Sequence, residues 1–375
     1  MRSDPTPLAA ILAEQIKSRG PITFAEYMDA CLYHPEHGYY TKANQSERRD
    51  YITSVDVTPV FGRLLARQFY EMWTMLDRPQ PFALVEAGAG TGRLAMQILD
   101  CARESLGEFY SAVHYVAVDR SAVRRTAQLQ NLEDHVANGR FCSSEHLPAE
   151  IPNGCIFSNE LCDAFAVHRV VRENEELREI YVTHSQNEFR EELDPPSSTA
   201  IAGYFDAQRI ALREGQMAEV NLAACNWIED AACRLHRGFV LTIDYGHEAQ
   251  QLYDERHMRG TLMAYDRHRS SEDFYRAPGA QDLTAHVNFT ALDLWGARRG
   301  LICIGLTSQT NFLLALARHS NFADLENAGA SEHDKIAARS QFKTLIHPEG
   351  MGETFKVLIQ QKGIHSVNLA GFQPL

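Results

Sequence analysis

The sequence predicts an α/β fold, a parallel sheet with helices on both faces, and three observations carry that prediction. From Phe82 onward, short apolar runs alternate with amphipathic helical segments. A glycine-rich turn from Gly88 to Gly92 joins the first of those runs to a helix. Four acids, Glu86, Asp119, Glu160 and Asp244, fall at the carboxyl ends of predicted strands, the edge where such sheets hold their ligands.

The elements follow in order. LAAILAEQIKSRG reads as an amphipathic helix stopped by Gly20 and Pro21. In TFAEYMDACLYHPEHGYY, Thr23 is set to cap a second helix with Glu26 as its capping-box partner. His34 and His37 flank Pro35, which reads as a surface turn rather than a metal site, because no third ligand stands at a matching spacing. TPVFGRLLARQFYEMWTML is a helix, and FALVEAG is the first clear strand. VHYVAVD is a strand ending at Asp119, followed by a helix that Ser121 can cap. CIFSNE is a strand ending near Glu160. NLAACNWIEDAACRLHRG is a helix ended by glycine, and GFVLTIDYG is a strand ending at Asp244. LICIGLTSQ and TFKVLIQQK supply two more strands.

This reading gives an N-terminal helical segment over residues 1–50 and one α/β domain over 51–375. Two insertions interrupt the domain. The first spans about residues 168–218, and in it VHRVVRENEELREIYVTHSQNEFREELDPPSS alternates apolar and polar side chains, like a small antiparallel ribbon, with the charged runs as turns and solvated faces. Residues 247–289 are long and rich in charge and aromatics, as functional loops often are.

Composition excludes several functions. Of 375 residues, 45% are hydrophobic and 23% charged, which is ordinary for a soluble globular chain. A net charge of −13 argues against a non-specific grip on nucleic acid, which is mostly a lysine and arginine effect. The opening stretch lacks a long apolar core, and no apolar run is long enough to span a membrane. The eight cysteines form no CxxC pair, so a reducing cytoplasm and no bound metal are the expectation.

The turn discriminates among ligands. Dinucleotide sites use GxGxxG, but position 93 here is Arg, and there is no GxxxxGK[ST] to cradle a triphosphate. The pattern E-x-G-x-G-x-G, carried by Glu86, Gly88, Gly90 and Gly92, looks like motif I of class I S-adenosylmethionine-dependent methyltransferases. Glycine lets the backbone pass close to a ligand and take positive φ. The cofactor's cationic amino and sulfonium groups suit a nearby acid such as Glu86. Asp119 can accept both ribose hydroxyls, a device that dinucleotide folds share.

Further stretches carry a closer resemblance. In order they are GPITFAEYMDACLYHPEHGYY, DYITSVDVTPVFGRLLA, VEAGAGTGRL, SNELCDAFAVHRV, IDYGH, RGTLMAYDRHR and QDLTAHVNFTAL. With these, from about Gly20 to about Leu306, the chain resembles the MidA-like family, which includes the mitochondrial complex I assembly-factor methyltransferase. The resemblance implies a class I methyltransferase fold, Rossmann-like, with an N-terminal helical segment and inserted helical and β segments. It also implies S-adenosyl-L-methionine as cofactor and, as acceptor, arginine on a partner protein, such as a subunit of respiratory complex I. One departure is NQSERRDY, where Arg49 stands in place of an expected glycine.

Site residues follow from both lines. Glu160, with Asp163 as a second acid, can hold a guanidinium fork bidentately and orient one nitrogen, although either acid can instead cap a helix or pair with an arginine. Ser158 and Asn159 share that sheet edge, and Asn159 is taken as a cofactor contact. Thr53, Thr58 and Phe61 are cofactor contacts by resemblance, Phe61 being equally suited to the core. In QDLTAHVNF, His286 can orient an acid or relay a proton, while Asp282 can cap a helix. Asp244 and Tyr245 face substrate or simply end a strand. Two other functions stay open: a small-molecule methyltransferase, and a non-catalytic assembly factor that binds the cofactor. The oligomeric state is also open, a homodimer included.

Overall fold

The computed structural model describes residues 6–41, 55, 58–266, 269–325, 332–347, 352–365 and 367–374. Thr53 and Arg49 lie outside these. The chain divides into two compact units, each assembled from three stretches. The first is Met1–Tyr51, Cys162–Ile228 and Gly246–Trp295; the second is Ile52–Leu161, Glu229–Tyr245 and Gly296–Leu375. The N-terminal helices and most of both insertions therefore belong to one unit.

In the first unit, α1 (Pro7–Arg19) starts at Thr6, whose hydroxyl accepts from Ala9 N–H, and ends at Gly20 with φ +90°. Helix α2 (Phe24–Tyr33) carries the full capping box. Thr23 Oγ1 accepts from Glu26 N–H at 3.2 Å, and Glu26 accepts in return from Thr23 N–H at 2.8 Å. Strand β1 (Ile22–Thr23) pairs antiparallel with a ribbon strand introduced below.

The second unit carries the main sheet. Helix α3 (Val60–Met75) leads to β2 (Phe82–Ala87), the glycine turn and α4 (Arg93–Ser105). Next come β3 (Val113–Val118), α5 (Ala122–Asn131), β4 (Phe141–Ser144) and β5 (Ile151–Asn159). Ser121 caps α5 by accepting from Arg124 N–H.

The chain then returns to the first unit. Strands β6 (His168–Glu173), β7 (Glu176–Ser185) and β8 (Glu188–Asp194) form the expected antiparallel ribbon. Its turns at Asn174–Glu175 and Gln186–Asn187 hold both residues at positive φ, as two-residue hairpins of the favoured twist require. Helix α6 (Thr199–Gln208) and β9 (Met217–Val220) complete this insertion.

Helix α7 (Leu222–Arg234) runs directly into β10 (Leu235–His247), so the expected glycine stop is absent. Gly238 instead lies inside the strand with φ +148°, where an added Cβ would stand 1.9 Å from the Gly154 carbonyl oxygen. Close strand approach, not helix termination, demands that glycine. The second insertion folds as a small sheet of β11 (Met263–Asp266), β12 (Arg269–Ser271) and β13 (Asp282–Thr284), followed by β14 (Val287–Asn288) and α8 (Phe289–Ala297). The second unit closes with β15 (Ile302–Ser308), α9 (Gln309–His319), α10 (Glu332–Ile346) and β16 (Phe355–Lys362).

Within the second unit the strand order is β15-β16-β10-β5-β2-β3-β4. Strands β2 to β5 and β10 run parallel, while β16 is antiparallel to both of its neighbours. The sheet is thus not wholly parallel: its last strand inserts in reverse. One face of the sheet, with Leu84, Tyr115, Phe157, Phe239 and Leu241, packs with apolar side chains of α3 and α4 in a single core. The first unit has its own core around Phe24, Tyr27, Met28, Val182 and Leu283.

Candidate functional site

The glycine turn sits where β2 ends. Gly88 and Ala89 both donate their N–H to the Val118 carbonyl, at 2.9 and 3.0 Å, which ties the turn to the end of β3. All three glycines have positive φ: +74°, +53° and +80°. Their surroundings differ. A Cβ on Gly88 would meet Leu161, and one on Gly92 would meet Leu132 and Gln128, whereas one on Gly90 would find nothing within 4 Å. Gly90 is therefore the point where open space reaches the bare backbone, as a ligand-binding turn requires.

Asp119 stands beside it, buried after β3. Its Oδ2 accepts from Gly90 N–H at 3.1 Å and its Oδ1 from Ser121 N–H at 2.8 Å, with Arg124 at 3.6 Å. A carboxylate has about four acceptor positions. Two backbone donors fix this one in place and leave capacity for a pair of hydroxyls.

Glu86 points elsewhere. It lies in register with Ala117 and Phe157, on the core face of the sheet, and accepts from Tyr115 Oη at 2.5 Å. Burial pushes its carboxyl up to about 8 against the lowering hydrogen bond from Tyr115, and the charge of Asp119 adds to the rise. The rise favours the neutral acid, which weakens the negative complement expected for a cationic ligand. The strict alternation of strand side chains explains this: Glu86 follows Leu84 onto the same face. Phe61 is fully buried in the same core. Thr58 is also buried, its hydroxyl accepting from Val60 N–H as α3 begins.

The loop after β5 is built with strain. Glu160 has φ +53°, a left-handed conformation uncommon for any residue but glycine and asparagine. Its N–H donates to the Ile243 carbonyl at 2.9 Å, and Leu161 N–H donates to Asp244 Oδ2 at 3.2 Å. Asp244, fully buried, does not end its strand as expected, since β10 continues to His247; from inside the strand it pins the Glu160 loop. Asn159 Nδ2 donates to Glu160 Oε1 at 3.0 Å, while Asn159 Oδ1 is buried with no hydrogen-bond partner among the described residues.

The remaining candidates belong to the first unit. Asp163 lies in a short 3-10 turn, Cys162–Ala164, and is buried. Its charge and that of Asp282 help to hold the Tyr40 phenol well above its usual pKa, after burial. Tyr40 donates to both Asp282 oxygens at 2.9 Å, and Asp282 lies in β13 rather than capping a helix. His286 packs against His247 and His257, with ring centroids 5.4 and 6.4 Å away. Burial first, then these two rings, lowers it to about 4, so it does not titrate near neutral pH as expected. Sequence reading missed His247 and His257, which sit far from His286 along the chain. It also missed Gln128, the buried residue of α5, which no local pattern marks because its neighbours on the helix are exposed or half-buried. A cavity of about 190 Å³ in this unit, bounded by Arg169, Glu191 and Phe274, includes none of the candidate residues.

Strand order, glycine turn and strand-end acid together define a class I methyltransferase core. The model of an S-adenosyl-L-methionine-dependent methyltransferase family matches residues 64–307, and the chain belongs to that family. It is 26% identical to the mitochondrial protein arginine methyltransferase NDUFAF7 homolog of Drosophila melanogaster, over 96% of this chain and 86% of that protein. It is 29% identical to the mitochondrial protein arginine methyltransferase NDUFAF7 of Rattus norvegicus, over 93% and 83%. A crystal structure from Burkholderia thailandensis, bound to S-adenosyl-homocysteine, is 29% identical, with a TM-score of 0.86 over 99% of this chain and 98% of that one. The protein is thus an S-adenosylmethionine-dependent methyltransferase. These relatives overturn the expected cytoplasmic location, since they are named as mitochondrial proteins. Among the described residues, no helix is long and apolar enough to cross a membrane.

Proposed function

We propose that this chain methylates an arginine side chain on a partner protein, with Glu160 holding the acceptor. The observation that carries the reading is Glu160 itself: an acid in a strained left-handed conformation, pinned through Ile243 and Asp244 at the carboxyl edge of the sheet. Strain of this kind persists where surrounding structure over-determines it, as at binding sites. The names of the relatives support arginine as the acceptor.

When bound, S-adenosylmethionine supplies a methyl group on a sulfonium, which needs no metal and no redox partner. The chain's residues then have separable tasks. Gly90 gives backbone clearance, Asp119 offers its remaining acceptor positions to the ribose hydroxyls, and Asn159 Oδ1 offers an acceptor to the amino group. Glu160 receives the guanidinium fork, orients one nitrogen and accepts the proton that this nitrogen loses as the methyl group is gained, with S-adenosyl-homocysteine as the product released. A neutral His286 packs rather than relays protons.

The test is transfer of labelled methyl groups to candidate partners, beginning with a respiratory complex I subunit, followed by mapping of the modified residue. Wild-type protein should label arginine. Glu160→Gln should lose at least a hundredfold in kcat/KM while still binding S-adenosyl-homocysteine. Label on a small molecule or another side chain, with arginine unmodified, would sink the proposal.

A further inference from the structure

Gln128 is the buried residue of α5, with no exposed surface. A buried amide is costly unless its polar atoms find partners. Here Gln128 Nε2 donates to the Gly90 carbonyl at 2.8 Å, and its Oε1 accepts from Ser143 Oγ on β4 at 2.5 Å. One place along the turn, Asn131 Nδ2 donates to the Thr91 carbonyl at 3.0 Å. The residue that presents bare backbone to open space is therefore gripped on both sides: Asp119 accepts from its N–H and Gln128 donates to its carbonyl.

We infer that Gln128, oriented by Ser143, is a positioning residue for the cofactor, holding the Gly90 peptide in the conformation that binds S-adenosylmethionine. An amide can face Gly90 with either its donor or its acceptor end. The Ser143 hydroxyl, donating to the oxygen, presents the nitrogen to the carbonyl. Without that donor the amide can rotate and set two acceptors against each other. Without the amide, the Gly90 peptide keeps its Asp119 bond alone and samples orientations that do not match the ligand. The cost then appears in cofactor affinity rather than in the chemical step, because Gln128 touches the turn and not the reacting groups.

The experiment compares wild type with Gln128→Met, which keeps length and removes both hydrogen bonds, and with Ser143→Ala, which leaves the amide in place. S-adenosyl-homocysteine is titrated calorimetrically into each, melting temperature is recorded without ligand, and kcat and KM for S-adenosylmethionine are separated. Gln128→Met should raise the Kd tenfold or more, and Ser143→Ala about threefold. KM should rise in parallel, with kcat at saturation within twofold of wild type. A lowered melting temperature with an unchanged Kd in both variants would make the role structural and overturn the inference. Should Gln128→Met fail to fold, Ser143→Ala decides alone: a wild-type Kd there overturns the inference.

Discussion

Glu160 and Glu86 are two strand-end acids with opposite environments. Glu160 bears a left-handed backbone that costs a non-glycine residue about 1 kcal/mol or more. Glu160→Gly should therefore leave stability unchanged or raise it by about 1 kcal/mol, while abolishing methyl transfer and sparing cofactor binding. Denaturant melts beside an activity assay check this; loss of stability would show that the side chain, not the function, maintains the loop. Glu86 is raised from an ordinary 4.5 to about 8 by burial. Its contribution to stability is fully present below pH 4.5 and is lost as pH rises through 8. Each pH unit within that window removes up to about 1.4 kcal/mol. Glu86→Gln keeps an acceptor for Tyr115 but does not titrate. Its stability relative to wild type should improve from pH 5 to about pH 8 and then level off, and a flat difference in urea melts from pH 5 to pH 8 would refute the assignment. Neither environment was legible in the sequence, because both depend on which face of the sheet a side chain takes and what packs there.

Among the elements, local chemistry was the most legible. The Thr23–Glu26 capping box formed as its spacing predicted, and Thr23→Ala should cost about 1 kcal/mol of stability without altering cofactor affinity. The glycines divide by what surrounds them. Gly90→Val places a branched side chain at φ +53° in the open space beside the turn, so cofactor binding should vanish from a titration while the protein stays folded by circular dichroism. Gly238→Ala meets rigid backbone, the Gly154 carbonyl, and should destabilise the sheet by more than about 3 kcal/mol or prevent soluble expression. The sequence marked both as glycines in an α/β chain. It placed Gly90 in a ligand-binding turn but read Gly238 as a helix stop, because the close approach of the Gly154 carbonyl exists only in the packed sheet.

For the whole molecule, each unit is made of three separated stretches, so ligand binding in the second unit reports on a sheet spanning most of the chain's length. A ligand that binds only folded protein stabilises it by about 2.7 kcal/mol at a hundred times its Kd. S-adenosyl-homocysteine should therefore raise the melting temperature in a concentration-dependent way, and NADH should not. Equal shifts with both ligands would point to non-specific binding.

What the sequence alone determined is what rests on neighbours along the chain. Period and turn residues located the first helices and the strands β2, β3, β5, β10, β15 and β16, the spacing of Gly88, Gly90 and Gly92 selected the cofactor class, and alternation predicted the antiparallel ribbon within residues 167–198. The tertiary structure decided the rest. It reversed β16 between β10 and β15, turned Glu86 into the core, set three histidines from distant segments together, and brought Gln128 and Ser143 to the Gly90 carbonyl. These arrangements join residues tens to hundreds of positions apart. Their free energy comes from burial and hydrogen bonds that exist only once the layers are packed, so local sequence pattern carries no imprint of them.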